Sequence, residues 1–398
     1  MATRQLISKH INVASGDYVG KDGEIWIDTN TNLLKISDGA TPGGVVITTD
    51  GAGGGGGATT WVAITDINNA AGPSKIAVGS NAGYTTQGGF AVAVGNLAGQ
   101  TTQGLSAVAI GIEAGRTTQG TKAVAIGDAA GKTTQGGYAV AVGNLAGEVT
   151  QSGYAVAIGQ QAGKTTQGAS AVAVGTSAGK TTQGDYAVAV GISSGETTQG
   201  DYAVALGYNA GTTSQGSEAT AVGDSAGKTN QGANATAVGD SAGKTTQGAS
   251  AVAVGQQAGE TTQGTQAVAV GIYAGYTTQG AGAVAVGGAA GYTTQGADAV
   301  AVGNQAGTTA QGADAVAIGN QAGKTTQGAS AIAIGQKAGE TSQAANSIVL
   351  NATGLSLNNI VEDVFIVKPV RGELGFNLPA GFKQVAYNPT TGEFIYYD

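Results

Sequence analysis

One unit of sixteen residues repeats without insertion or deletion through the middle of this chain, and its period constrains the fold more than any other feature. In one clear copy, the first fourteen residues (91–104) read AVAVGNLAGQTTQG. The glycine after the apolar run recurs at every sixteenth position from Gly79 to Gly335, which gives seventeen copies. A globular core has elements of unequal length and no reason to keep such a period, whereas a stack of identical coils does.

Each unit carries the patterns of two short strands and two turns. The Ala-Val-Ala-Val segment alternates with period two and has two apolar faces, which predicts a strand that is covered on both sides. The following Gly-x-x-Ala-Gly segment is typical of a tight reversal that needs positive φ. Thr-Thr-Gln-Gly predicts a second short strand. We therefore expect an all-β parallel β-roll whose seventeen coils stack about 4.8 Å apart, over roughly 80 Å.

Stacking places equivalent residues of successive units in columns. A glutamine occurs in every unit from Gln87 to Gln343 and predicts a ladder of amide hydrogen bonds. Thr220 and Thr236 replace the first valine in adjacent units, where their hydroxyls could bond each other.

Residues of both charge signs share a further column: Arg116, Lys132, Glu148, Lys164, Lys180 and Glu196. Aromatic residues share another: Phe90, Tyr138, Tyr154, Tyr186 and Tyr202. We interpret that column as aromatic residues that pack between chains or are simply exposed, in preference to a saccharide-binding strip.

The side-chain chemistry argues against an enzyme, and we predict no catalytic, cofactor-binding or metal-binding residues. The chain has no cysteine, and its single histidine, His10, has no evident nucleophile as a partner. Glu362 and Asp363 are adjacent and would point to opposite faces of a strand. The formal charge of −8 without a basic cluster argues against a nucleic-acid partner. We also expect no membrane insertion and no cleaved signal peptide, because apolar runs of the required length are missing.

A core of alanine and valine alone buries little apolar surface per coil, whereas ordering the sixteen residues of each coil costs much conformational entropy. The second apolar face of the Ala-Val-Ala-Val strand offers further burial. We predict that this face packs against the same strand of sister chains around a three-fold axis, so that the molecule is a homotrimer. The pattern leaves open whether the alanines or the valines face that axis.

The Ala-Val-Ala-Ile-Gly core, as in residues 107–111 and 123–127, resembles the Ser-Val-Ala-Ile-Gly repeats of the heads of trimeric autotransporter adhesins, the YadA-like family. The resemblance covers roughly residues 74–351. It implies a tight trimer of left-handed parallel β-rolls, and the handedness is carried over from the family. The constant length of sixteen residues departs from the adhesin repeats, which are usually shorter.

The two ends differ from the repeat and from each other. Residues 23–39 predict a strand, a turn and a strand, and with the turn at residues 41–44 they resemble the N-terminal module of bacteriophage tail-fibre and appendage proteins. We therefore divide the chain into a virion-attachment module at 1–50, a glycine-rich linker at 51–60, the repeat rod at 61–345 and a C-terminal cap at 346–398. The cap resembles the region that often precedes a self-cleaving chaperone in tail fibres.

These resemblances imply a structural virion protein, a trimeric tail fibre or similar appendage that is assembled in the host cytoplasm. Its expected partners are two sister chains, a tail, baseplate or collar protein bound through residues 1–50, and a host surface receptor. A cell-surface trimeric adhesin is the alternative. An ice-binding solenoid ranks lower because the Thr-Thr columns lack Thr-x-Thr spacing, and a fibre-borne depolymerase ranks lowest.

Overall fold

The computed structural model describes residues 74–369 in full and, outside that range, only the backbone of five short strands. Contacts divide the chain into two units, Met1–Asn68 and Asn69–Asp398. The glycine-rich linker predicted at 51–60 and His10 lie outside the described residues.

The first unit contains a three-stranded antiparallel sheet. Ile25–Asp28 pairs with Leu33–Ile36, which also pairs with Val45–Val46. The two strands predicted within residues 23–39 are therefore confirmed at the level of the backbone. In the second unit, Gln384–Tyr387 and Phe394–Tyr397 form an antiparallel pair of their own.

Residues 74–369 form a parallel β-solenoid of about 18 turns, and helix is absent from this range. One sheet, named here the valine sheet, contains the three-residue strands of the Ala-Val-Ala-Val segments and two longer strands at its C-terminal end. Its strands are Ile76–Val78, Val92–Val94, Val108–Ile110, Val124–Ile126, Val140–Val142, Val156–Ile158, Val172–Val174, Val188–Val190, Val204–Leu206, Thr220–Val222, Thr236–Val238, Val252–Val254, Val268–Val270, Val284–Val286, Val300–Val302, Val316–Ile318, Ile332–Ile334, Ile348–Asn351 and Phe365–Lys368.

The second sheet, named here the glutamine sheet, contains the two-residue strands that end on the repeated glutamine and two longer strands at its C-terminal end. Its strands are Thr86–Gln87, Thr102–Gln103, Thr118–Gln119, Thr134–Gln135, Thr150–Gln151, Thr166–Gln167, Thr182–Gln183, Thr198–Gln199, Ser214–Gln215, Asn230–Gln231, Thr246–Gln247, Thr262–Gln263, Thr278–Gln279, Thr294–Gln295, Ala310–Gln311, Thr326–Gln327, Ala338–Gln343 and Leu357–Asn359.

Both sheets pair each coil with the next in parallel and in register. Val124 lies opposite Val140, and Gln135 lies opposite Gln151. The pairing runs only between consecutive coils, so each sheet has two ends. The turns continue the ladder, since backbone N–H groups outside the strands also donate to the next coil, as from Gly99 to the Ala114 carbonyl at 2.9 Å. Almost every coil therefore satisfies its backbone through its neighbours.

The ladder continues past residue 345 with one change of length. Ile348 lies sixteen residues after Ile332, its partner, but Phe365 lies seventeen residues after Ile348. The valine sheet thus extends into the segment predicted as the C-terminal cap.

Three columns of alanine fill the interior, and the valines lie outside. Ala91, Ala93 and Ala98 are fully buried, as are their equivalents in nearly every coil. The side chains of Val92 and Val94 on the same strand are only half-buried. The core of alanine and valine expected from the sequence is therefore, within one chain, a core of alanine. The strand alternates as predicted, but alanine takes the inner face because the opposite sheet leaves space for a methyl group beside the glutamine.

The turns depend on backbone conformations that L-residues avoid. In each repeat the first glycine has φ near 129° and the second near 53°, as at Gly175 and Gly179. Two further positions per coil are left-handed although most of their residues are not glycine, for example Ser170 at 56° and Ser177 at 58°. Each such residue costs about 1–2 kcal/mol. The stacked ladder compensates for that strain.

Replacing Gly175 by alanine tests how closely the coils approach. A Cβ atom on Gly175 would lie 2.5 Å from the carbonyl oxygen of Gly191 in the next coil, on backbone at φ 129°. We expect Gly175→Ala to destabilise the solenoid by about 2 kcal/mol or more and to lower its melting temperature in circular dichroism. The control is Gly137→Ala, whose Cβ would lie 3.5 Å from the Thr121 carbonyl oxygen. Equal melting temperatures for the two variants would contradict this close approach.

Candidate functional site

The buried glutamine links the two sheets across the interior of each coil. Gln167 is fully buried, and its Nε2 donates to the carbonyl oxygens of Val156 at 2.8 Å and Ala171 at 3.3 Å. Gly163 makes room for it, because a Cβ there would lie 2.7 Å from Gln167 Oε1. The amide thus ties the glutamine sheet to the backbone of the valine sheet.

The same amides form the predicted ladder between coils. Gln167 Nε2 also donates to Gln183 Oε1 at 3.1 Å, and Gln167 Oε1 accepts from Gln151 at 3.0 Å. The bonds form three runs: Gln119 to Gln215, Gln231 to Gln295 and Gln311 to Gln343. At the start of each run, the Oε1 atom is buried without a partner. The ladder was predicted from the sequence, whereas the bonds to the strand carbonyls were missed.

Two serines stand in the alanine core, Ser194 and Ser347, and the Ser347 hydroxyl donates to the Ala344 carbonyl at 2.7 Å. Ser194 replaces the alanine that follows the first turn glycine in other coils, and it is fully buried. Its hydroxyl donates to the Gly191 carbonyl at 3.1 Å. Both polar groups therefore enter the core with a partner.

The outer side of the valine sheet is a continuous apolar surface, named here the valine face. It consists of the first and third side chains of each three-residue strand. Most are half-buried, and the larger ones are more exposed, with Ile158 at 41% and Leu206 at 45%. Thr220 and Thr236 lie on this face opposite each other, but their hydroxyls do not bond each other. The valine face therefore recurs in every coil of the solenoid as a partly exposed apolar strip.

The charged column carries ion pairs between and within coils. Lys164 pairs with Glu148 at 3.5 Å, and Lys180 pairs with Glu196 at 3.3 Å. Glu113 contacts both Lys132 and Arg116 at 2.6 Å. The hydrogen bond from Lys132 is the main reason that the pKa of Glu113 lies below its usual value, and burial opposes it. These partly exposed pairs contribute little stability each.

An aromatic cluster continues the charged column, in which Tyr276 and Tyr292 follow Glu260 at the same sixteen-residue spacing. Tyr276 and Tyr292 stack at 4.9 Å, and Tyr273 packs edge-on against both rings. The neighbouring Glu260 carboxylate is the first cause of a raised pKa at Tyr276. Tyr273 is exposed, and Tyr276 and Tyr292 are half-buried.

The aromatic column predicted from the sequence forms stacked pairs. Tyr138 and Tyr154 stack with ring centroids 5.0 Å apart and planes 4° from parallel, and Tyr186 and Tyr202 stack at 5.0 Å and 9°. All four are exposed, at 46% to 64%. Ser170 occupies the column between the two pairs.

The described residues contain no group of three or more histidines, cysteines or carboxylates that could hold a metal ion. Glu362 and Asp363, which we assigned to a strand, lie instead in an exposed turn with Asp363 at φ 56°. Within the same part of the chain, a helix long and apolar enough to cross a membrane is absent.

Replacing Gln167 by leucine tests the role of the ladder. Leucine fills a similar volume but leaves Gln183 Oε1 without its donor and removes the bonds to Val156 and Ala171. Losing the partners of buried polar groups costs about 1–3 kcal/mol each, so Gln167→Leu should lower the urea midpoint clearly. Thr166→Val is the matched control, because Thr166 is exposed on the same strand. If the Gln167→Leu protein is as stable as the control, the glutamine ladder does not stabilise the solenoid.

Comparison with known proteins adds no relative: no family model, no curated protein and no solved structure matches this chain.

Proposed function

We propose that this chain is a structural protein whose solenoid associates through the valine face into a homotrimer, and that the trimer is a virion tail fibre or similar appendage. The observation that carries the proposal is the unbroken valine face, which leaves half-exposed valine and isoleucine side chains in every coil. Extended apolar surfaces of this kind on a soluble protein mark sites of association.

The period of the valine face favours a second copy of this chain as the partner. Its side chains recur at each coil, about every 4.8 Å. A partner stays in register over that length only if it has the same repeat, which another copy supplies. Burying the remaining exposed part of each valine or isoleucine contributes about 0.5–1 kcal/mol. The three-fold arrangement and the left-handed coil enter the proposal from the resemblance to adhesin heads.

The outward position of the valines also selects the face that meets the axis. The alanines are fully buried inside each chain, so they are not available to a sister chain. In the proposed trimer the valine faces of three chains meet, and the glutamine sheets with their exposed threonines lie outside.

The appendage role rests on the two ends. Residues 1–50, with their antiparallel sheet, would attach to a tail, baseplate or collar protein, and the C-terminal segment would form the distal tip that contacts a host surface. The solenoid supplies length and stiffness between them. No chemical step is assigned to it.

Immunogold electron microscopy tests the appendage role. An antibody raised against residues 74–369 should label fibres on tailed virus particles from the source of this sequence and leave uninfected cells unlabelled. The control is the same antibody preincubated with the purified protein. Label on the surface of uninfected bacteria, with none on particles, would contradict the proposal and support the adhesin alternative.

A further inference from the structure

We propose that the tyrosine column contains a binding slot for a methylated ammonium group, between the ring faces of Tyr154 and Tyr186. The column there reads Tyr138, Tyr154, Ser170, Tyr186 and Tyr202, one residue per coil. Ser170 has no ring, so the stack is interrupted by one coil.

The geometry of the column fixes the size of the slot. All five residues share one backbone conformation, with φ between 56° and 62°. Within each pair the ring centroids lie 5.0 Å apart, close to the spacing of coils, so the rings project in the same direction. Tyr154 and Tyr186 are two coils apart, so rings that keep the same orientation on both coils have centroids about 10 Å apart. A group midway between them lies about 5 Å from each centroid.

That distance is the one at which a cation binds an aromatic ring. A cation interacts favourably with an aromatic face within about 6 Å of the centroid. The same column already contains an example: Lys122 Nζ lies 5.1 Å from the ring centroid of Tyr138, at the other end of the stack. A cation in the slot would have two such faces instead of one.

A carboxylate lies beside the slot. Asp185 Oδ1 accepts a hydrogen bond from the backbone N–H of Ala169 at 2.7 Å, which holds this oxygen at the level of Ser170. Asp185 is exposed, and Asp201 repeats the arrangement one coil further, accepting from the Asp185 N–H at 2.9 Å. Two tyrosine faces with an adjacent negative charge form an environment that attracts an organic cation.

The slot favours a methylated over an unmethylated ammonium group. A primary ammonium brings three N–H donors that need acceptors, whereas the two walls of the slot are ring faces. A quaternary ammonium has no donors to satisfy, and its methyl groups contact the ring faces. The ligand class is therefore a choline-like group, either free in solution or carried on a lipid headgroup.

Saturation-transfer difference NMR of choline with the full-length protein tests the slot. The methyl protons of choline should receive saturation with a dissociation constant of about millimolar. The neutral isostere 3,3-dimethylbutan-1-ol should bind at least about tenfold more weakly. Tyr186→Leu should weaken choline binding about tenfold, and Asp185→Asn should weaken it several-fold.

The decisive variant fills the slot. Ser170→Tyr inserts a fifth ring at the spacing of the existing pairs and should abolish choline binding without unfolding the coil. Ser250→Tyr is the matched control, because Ser250 lies in the same column at φ 57° between Asn234 and Gln266. It should leave binding unchanged.

Three results would overturn the proposal: no saturation of choline, equal binding of the neutral isostere, or unchanged binding in Ser170→Tyr. Sedimentation with phosphatidylcholine vesicles then distinguishes the two sources of the ligand. Protein that pellets with the vesicles in a Ser170-dependent way assigns the slot to a lipid headgroup, and protein that stays in solution but binds choline assigns it to a free cation.

Discussion

The in-register stacking of each coil on the next is the constraint on which the rest of this structure depends. Coils that pair backbone to backbone must approach closely at the turns, and only glycine allows this where a Cβ on Gly175 would meet the Gly191 carbonyl. The same stacking leaves room in the interior of each coil only for alanine methyl groups and one glutamine amide. The sequence repeats because every coil presents the same surface to its neighbour.

The buried glutamine is the polar counterpart of that apolar core. A chain with so thin an interior cannot fix the distance between its two sheets by large side chains. Gln167 does so with hydrogen bonds to the carbonyls of Val156 and Ala171 and to the next glutamine. A buried amide is tolerated when its polar atoms are paired, and the column lets the amides pair with one another. The consequence is a stiff interior that leaves the larger apolar side chains for the outside.

Periodicity predicted the stacking, the two strands, the turn glycines and the glutamine ladder, because each depends only on which residues recur. It did not predict which face of the Val92–Val94 strand points inward, since alanine and valine are both apolar and alternate with the same period. The residues with left-handed backbone could not be predicted for another reason. Leu97, Tyr154 and Ser170 all have positive φ but are of different residue types, so the backbone requirement is not visible in the sequence. Inferring the slot between Tyr154 and Tyr186 required the ring stacking seen in the structure in addition to the predicted column.

The central claim is that the valine face is the contact between copies of this chain, and sedimentation equilibrium tests it most directly. The unmodified protein should sediment as a trimer of the 38.3 kDa chain. Val252→Asp combined with Val254→Asp places charges on the half-buried valine face and should shift the protein to monomer. Thr245→Asp with Thr246→Asp, at exposed positions of the same coil, should leave the trimer intact. A folded monomer for the unmodified protein, or a trimer that persists with both valines replaced, would contradict the account.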